Sequence, residues 1–204
     1  MKKTVIYLVR HGETEWNLKN LIQGQADSPL TKLGIKQAEE VAKDLKKVKF
    51  DYVYASDSLR AKRTANIIAA EHKLHVETSK LLRERYFGKL EGQPSKALDM
   101  FREMYKKMTD DEIFKYRATP DSETDEEITT RLITFLRELA ISHPGKNVLV
   151  VSHGAIMRAF LVKLGYATYE SLGWISNGAF VKLETDGTDF VIKTVKGVDD
   201  KWQG

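Results

Sequence analysis

Residues 8–17 read Leu-Val-Arg-His-Gly-Glu-Thr-Glu-Trp-Asn, and this stretch decides the fold. The apolar residues 5–9 predict a buried strand that ends directly in Arg10 and His11, before Gly12 lets the backbone turn. Burying an arginine and a histidine is costly because both lose their hydration. An anionic ligand is the usual reason for such a cost, and open α/β sheets bind ligands at the carboxyl ends of their strands. His11 is therefore a candidate nucleophile, and Arg10 is a candidate phosphate clamp.

The composition is that of an ordinary soluble globular protein, with 204 residues, of which 42% are apolar and 30% charged. There is no cysteine, which excludes disulfides, thiolate metal sites and cysteine nucleophiles. Because this also suits a reducing compartment, we expect a cytoplasmic protein. The apolar run near the N-terminus lasts about five residues, which is too short for a signal peptide or a membrane span.

The formal net charge of +4 admits nucleic acid, an anionic surface or a small phosphorylated metabolite as a partner. Most lysines alternate with Glu and Asp on predicted helices, and we find no recognised nucleic-acid motif. We therefore expect a solvated surface with one anion pocket, and neither a nucleic-acid nor a membrane partner. A homodimer stays open, because the sequence alone does not separate exposed apolar residues from buried ones.

Short apolar strands alternate with amphipathic helices, which predicts an α/β fold with a largely parallel sheet covered on both faces. Strands are predicted at residues 4–9, 52–55, near 76 and at 147–151, followed by a hairpin of 179–184 and 190–195. Helices are predicted from Thr31, around 61–69, over 93–118 with less regularity, over 123–142 and up to 164. We find no linker, so we expect a single domain over residues 1–204, with residues 93–122 as an excursion over the active site.

Polar side chains from four places along the chain would meet at one edge of this sheet. The strand before residue 152 ends in Ser152-His153-Gly154, much as the first strand ends in Arg10-His11-Gly12. A third strand leads to Arg60, near the start of a helix where backbone N–H groups favour anions. Glu84 adds a carboxyl group, although its neighbours in the chain are arginines that could simply pair with it. Two arginines, two histidines and one carboxyl group together predict a phosphoryl-transfer site.

Several short motifs also follow one another in order along nearly the whole chain. They are Arg-His-Gly within residues 8–17, Gln-Gly at 23–24 with Asp-Ser-Pro-Leu-Thr at 27–31, Ser-Leu-Arg-Ala at 58–61 with Thr-Ala at 64–65, Leu-Arg-Glu at 82–84 with Phe-Gly at 87–88 and Glu-Gly at 91–92, and Val-Ser-His-Gly at 151–154. In this order they resemble the histidine phosphatase superfamily, in its small phosphatase branch. The resemblance implies a phosphoglycerate mutase-like fold, with three α/β/α layers and a mostly parallel central sheet.

The resemblance also implies a role for each polar residue. His11 would be the nucleophile that takes the phosphoryl group, and Glu84 would protonate the leaving oxygen. Arg10, Arg60 and His153 would hold the phosphate oxygens. Further phosphate contacts are expected at Asn17, Gln23, Gly24 and Gly154.

General chemistry is consistent with these roles. A nucleophilic imidazole must be unprotonated on its attacking nitrogen, and nearby guanidinium groups disfavour its protonated form. Its other nitrogen should donate to a carbonyl or carboxylate, which fixes the tautomer. Because fixed cationic donors stabilise charge on the transferring group, we expect no cofactor and no metal.

The fate of the phosphoryl group depends on other parts of the chain. The segment between the acid-bearing loop and the second histidine motif is compact, and residues 119–124 are similar to the Gly-Glu-Ser loop of small phosphatase members. Asp121 and Ser122 depart from that loop, because glycine is common there. We expect a phosphatase of small phosphomonoesters that releases inorganic phosphate; the alternatives are a cofactor-dependent phosphoglycerate mutase and a non-catalytic phosphate-binding module. Candidate contacts to the leaving group lie within residues 86–122: Tyr86, Phe87, Arg102, Tyr105, Tyr116 and Arg117.

Overall fold

A six-stranded sheet runs through residues 2–198, the part of the chain that this computed structural model describes. Its strands are β1 (Thr4–Arg10), β2 (Tyr52–Ser56), β3 (Val76–Ser79), β4 (Asn147–Ser152), β5 (Ile175–Thr185) and β6 (Phe190–Val198). The α-helices are α1 (Glu15–Leu18), α2 (Lys32–Leu45), α3 (Leu59–Ala70), α4 (Asp99–Tyr105), α5 (Asp110–Lys115), α6 (Asp125–Ser142) and α7 (Gly154–Lys163). Short 3₁₀ turns occupy Lys80–Leu82, Gly88–Leu90 and Ser95–Leu98. The predicted single domain also includes residues 1 and 199–204, which lie outside the described residues.

The strands lie in the order β3-β2-β4-β1-β5-β6. The pairs β3-β2, β2-β4 and β4-β1 are parallel, whereas β1-β5 and β5-β6 are antiparallel. The predicted α/β class with a mostly parallel central sheet is therefore confirmed. Because Arg10 is paired with Ser152, the turns that carry His11 and His153 leave the sheet side by side.

Alternate side chains of the central strands pack into two cores, one on each face of the sheet. Ile6 and Leu8 of β1 join apolar side chains of α6 and α7. Tyr7 and Val9 join apolar side chains of α2 and α3. The three layers are therefore those predicted, and β1 is held firmly on both faces. Within residues 2–198, no helix has the length and apolar character needed to cross a bilayer.

Threonine caps set the starts of three helices. Thr31 accepts a backbone N–H at 3.0 Å, so α2 begins one residue later, close to the prediction. Thr124 and Glu127 form a capping box, and for this reason α6 begins at 125 rather than 123. A second capping box, of Thr109 and Glu112, starts α5 and divides the predicted helical stretch of residues 93–118 into two short helices.

The turn after β1 packs directly on the first turn of α2. A Cβ atom added to Gly34 would lie 2.0 Å from the carbonyl oxygen of Glu13, and one added to Gly12 would lie 2.2 Å from the carbonyl oxygen of Gly34. The backbone N–H of Thr31 donates to the Glu13 carbonyl at 3.0 Å. The turn that carries His11 therefore rests on α2 only because neither glycine has a side chain.

The substitution Gly34→Ala should lower the free energy of unfolding by about 1–3 kcal/mol, because the added methyl group overpacks the contact with the turn. Chemical denaturation measures this difference. Lys36→Ala alters an exposed residue of the same helix and should stay within about 0.5 kcal/mol of the parent protein. Equal stability of the two variants would contradict the close packing of this turn.

Candidate active site

His11 follows β1, is 3% exposed, and has its tautomer fixed by the backbone. Its Nδ1 lies 2.7 Å from the carbonyl oxygen of Gly12, which can only accept, so Nδ1 carries the proton. Nε2 is then an acceptor, and Nε of Arg60 donates to it at 3.2 Å. Burial, reinforced by the charges of Arg60 and Arg10, holds the pKa of His11 well below its usual range. The imidazole is therefore neutral, and the lone pair of Nε2 faces the N–H of Arg60.

Arg60 lies in the first turn of α3, is 1% exposed, and stands between two imidazoles. Its Nε donates to Nε2 of His11 and to Nδ1 of His153, at 3.2 Å in each case. Its Nη1 donates to Asp27 at 3.1 Å, and its Nη2 donates to the carbonyl oxygen of Gly24 at 2.6 Å. Burial lowers the pKa of Arg60, whereas the charge of Asp27 raises it. The loop of residues 24–27 thus fixes this cation in the site.

Two of the predicted site residues each have a buried donor without a hydrogen-bond partner within residues 2–198. Because Nδ1 of His153 accepts from Arg60, its proton is on Nε2, which is one of these donors. The other is Nε of Arg10, whose Nη1 donates to the carbonyl oxygen of Ile175. A buried donor without a partner costs about 1–3 kcal/mol, so both groups favour a bound anion.

The electrostatics of these donors match anion binding. Burial lowers the pKa of Arg10 to about 10, so the guanidinium stays charged at neutral pH. Burial, and to a smaller extent the charge of Arg60, also hold the pKa of His153 well below its usual range. A Cβ atom on Gly154 would lie 3.0 Å from Nε of Arg10, so a glycine at this position keeps that N–H accessible.

Glu84 is 9% exposed, and three backbone N–H groups hold its carboxylate. Oε1 accepts from Arg85 at 2.8 Å and from Ile156 at 3.0 Å, and Oε2 accepts from Ala155 at 2.9 Å. Ala155 and Ile156 belong to the first turn of α7. This is the positive end of the helix dipole, which favours a carboxylate. Glu84 therefore reaches the site from the loop after β3 and is held there by α7.

Neither of the arginines beside Glu84 serves as its ion-pair partner. Arg83 pairs with Asp57 at 2.6 Å. Arg85 pairs with Asp125, the first residue of α6. The alternative in which Glu84 merely neutralises its neighbours on the surface is therefore wrong, because other carboxylates do so.

The predicted residues meet in two adjoining cavities. A cavity of about 1020 Å³ is lined by eight of them: Arg10, His11, Asn17, Gln23, Gly24, Arg60, Glu84 and Gly154. His153 lines a smaller cavity of about 130 Å³, which shares Gly24, Arg60 and Glu84 with the larger one. Among the described residues, no group of three or more His, Cys, Asp or Glu side chains is placed to hold a metal ion.

The residues expected to make further phosphate contacts are already engaged with their surroundings. The side chain of Asn17 accepts the backbone N–H of Thr14 at 3.2 Å. Gln23 accepts from the hydroxyl of Thr14 at 2.9 Å and donates to the hydroxyl of Ser28 at 3.1 Å. Gly24 gives its carbonyl oxygen to a guanidinium group. These bonds brace the loop beside the site, and direct contact with phosphate stays a prediction.

Three residues that the sequence analysis did not assign to the site hold its groups in place. Asp27 holds the guanidinium of Arg60, and the hydroxyl of Thr64 accepts a backbone N–H of the turn after β1 at 3.1 Å. Asn177 donates to the carbonyl oxygen of His11 at 3.0 Å. Asp27 and Thr64 lie within the motifs that carry the family resemblance, so a signal for them was present. Asn177 lies on β5, far from any of those motifs.

Aromatic side chains and residues of the segment 93–122, which was predicted to cover the site, also line the large cavity. Three of the six candidate contacts to the leaving group line it: Phe87, Arg102 and Tyr105. The other three lie outside its lining: Tyr86, Tyr116 and Arg117. Trp174, which the sequence analysis missed, also lines this cavity and is 59% exposed.

Comparison with known proteins gives a family for this arrangement. The sequence model described as "Histidine phosphatase superfamily (branch 1)" matches residues 6–197. A relative named "Uncharacterized phosphatase PhoE", from Bacillus subtilis (strain 168), is 38% identical over 161 residues, which cover 79% of this chain and 77% of the relative. "Probable phosphoglycerate mutase GpmB" from Proteus mirabilis (strain HI4320) is 32% identical over 199 residues, and the match covers 89% of this chain and 92% of the relative.

Solved structures have the same fold. "Bacillus stearothermophilus YhfR" has a TM-score of 0.82 and 27% identity, with 95% of this chain and 96% of that chain covered. The phosphoglycerate mutase from Bacillus anthracis str. Sterne has a TM-score of 0.81 and 29% identity, with coverages of 95% and 93%. Since the family model matches nearly the whole sequence, the chain belongs to the histidine phosphatase superfamily (branch 1).

Proposed function

We propose that this protein is a phosphatase that hydrolyses small phosphomonoesters through a covalent phosphohistidine on His11. One observation carries the proposal: a buried neutral imidazole has its Nε2 lone pair beside the fixed guanidinium of Arg60. Arg10 and His153 add donors on the same side of the site. Membership of the family and a relative named as a phosphatase support hydrolysis.

In the first step, the Arg60 N–H that faces Nε2 of His11 would donate to a phosphoryl oxygen instead, and Nε2 would attack phosphorus while the bond to the leaving oxygen breaks. Positive charge would then build on the ring, and the bond from Nδ1–H to the Gly12 carbonyl would stabilise it. The charges of Arg10 and Arg60 would stabilise the oxygens of the transferring group. These groups supply the needed positive charge, so the proposed route uses no metal ion.

Glu84 would deliver the proton that the leaving oxygen takes up. Its Oε1 accepts two backbone N–H groups and its Oε2 accepts one, so Oε2 is the oxygen better able to carry that proton. In the second step, Oε2 would accept a proton from a water molecule that attacks phosphorus. The P–N bond would then break, releasing inorganic phosphate and regenerating the neutral His11.

The substitution His11→Ala should lower kcat for a phosphomonoester on the order of 10³-fold or more, because it removes the group proposed to accept the phosphoryl group. After reaction with ³²P-labelled substrate and rapid quenching without acid, the parent protein should carry the label and this variant should not. His75→Ala removes an exposed histidine and should keep both activity and label. Hydrolysis by His11→Ala, or hydrolysis that stops when a chelator removes divalent metal, would count against the mechanism.

Stability should depend on pH through the buried histidines. Since the unfolded chain binds protons at His11 and His153 below pH 6.5 and the folded chain does not, stability should fall as pH falls below that value. Each histidine contributes a slope of about 1.4 kcal/mol per pH unit. The free energy of unfolding, measured with urea, should therefore fall less between pH 6 and pH 5 for His153→Gln than for the parent protein. Identical slopes would mean that the imidazole of His153 is not held neutral.

A phosphoglycerate mutase is the second candidate, because relatives and solved structures bear that name. Supplying 3-phosphoglycerate with a bisphosphoglycerate primer separates the two reactions, with 2-phosphoglycerate and free phosphate followed together. We expect free phosphate to form faster. Faster formation of 2-phosphoglycerate would establish the mutase, and turnover of neither kind with intact phosphate binding would favour the non-catalytic module.

A further inference from the structure

Residues 81–84 leave the sheet after β3, and the position of Glu84 depends on how their backbone is held. Backbone groups in the interior need partners, and here side chains provide them. The carbonyl oxygen of Leu82 accepts from the hydroxyl of Ser152 at 2.9 Å. The carbonyl oxygens of the other three residues all accept from one side chain, that of Arg131.

Arg131 lies on α6, and its side chain is 15% exposed. Its Nη1 donates to the carbonyl oxygens of Leu81, at 3.0 Å, and Arg83. Its Nη2 donates to the carbonyl oxygen of Glu84 at 2.8 Å. The opposite side of the guanidinium pairs with Glu123, with Nε to Oε1 at 3.2 Å and Nη2 to Oε2 at 3.1 Å. All five N–H groups of the planar guanidinium are thus engaged in hydrogen bonds. The ammonium group of a lysine could not reproduce this arrangement.

Glu123 extends this support to the other side of Glu84. Its Oε2 accepts the backbone N–H of Tyr86 at 2.7 Å and the side-chain amide of Gln25 at 3.4 Å. The same amide lies 3.4 Å from the carbonyl oxygen of Glu84. The Arg131–Glu123 pair therefore holds the backbone before and after Glu84, while α7 holds its carboxylate.

We propose that Arg131 is a positioning residue: paired with Glu123, it sets the location of the Glu84 carboxylate relative to the leaving oxygen. The inference rests on the proposed function of Glu84 as proton donor. The bonds of Arg131 go to the backbone of residues 81–84 and to Glu123, whereas His11 is held by its own turn and by Arg60. Loss of Arg131 should therefore displace the acid and leave the nucleophile in place.

Dependence on the leaving group separates a positioning role from a general structural one. A proton donor matters most for a poor leaving group such as an alkyl alcohol, and little for p-nitrophenol. In Arg131→Met and Arg131→Lys, kcat/KM for glycerol phosphate should fall about tenfold more than kcat/KM for p-nitrophenyl phosphate. The ratio kcat/KM is the right quantity, because it reports the steps through departure of the alcohol.

Three further variants sharpen this test. Glu123→Gln keeps the shape of the pair but removes its charge, so it should give a smaller selective loss in the same direction. In a Glu84→Gln background, Arg131→Lys should change kcat/KM for glycerol phosphate less than about twofold, because it acts through that carboxylate. The matched control is Arg137→Met on the same helix, since Arg137 is exposed and donates to the carbonyl oxygen of Thr188. It should show no selective loss.

Each outcome decides the matter. A selective loss in both Arg131 variants supports the inference, and an equal loss for the two substrates in folded variants overturns it. If circular dichroism shows that Arg131→Met does not fold, Arg131→Lys and Glu123→Gln decide by the same ratio. A parent protein that hydrolyses neither substrate would instead overturn the proposed function, and the inference with it.

Discussion

A buried guanidinium between two neutral imidazoles is the interaction on which the site depends. Removing such a charge from water costs several kcal/mol, even after the protein relaxes. The cost is offset by Asp27 and by the carbonyl oxygen of Gly24, which fix Arg60 from the side opposite the imidazoles. Burial, reinforced by the charge of Arg60, lowers the pKa of His11 and of His153, so both imidazoles stay neutral beside the guanidinium that would attract an anion.

Much of the fold could be predicted because its signals are local. Short apolar runs identified the strands, and Thr31 identified the start of α2. Signals that depend on distant partners were less visible. The first strand extends to Arg10 because Ser152 of β4 pairs with it, and no local pattern indicates that neighbour. The cap at Thr109, which divides residues 93–118, was a local signal that the sequence analysis passed over.

The residues of the site also divide into those with a local signal in the sequence and those without one. The candidate catalytic side chains lie at the ends of strands, so Arg10 and His11 could be proposed from residue type and position alone. The groups that hold those side chains could not, because they come from remote elements. Glu84 receives backbone N–H bonds from α7, some 71 and 72 positions away, and Asn177 reaches the His11 carbonyl across 166 positions. Such bonds depend on the order of the strands, which residue composition does not encode.

The bare contact between Gly12 and Gly34 has a consequence for how mutational data on this protein would be interpreted. Every replacement at either position adds atoms where a carbonyl oxygen already lies within 2.2 Å. A survey of random variants scored by activity would therefore mark both positions as intolerant, alongside the residues that do chemistry. At these two positions, loss of activity on substitution would reflect the lack of space between a turn and a helix. It would not indicate a chemical role, since glycine has no side chain with which to bind or react.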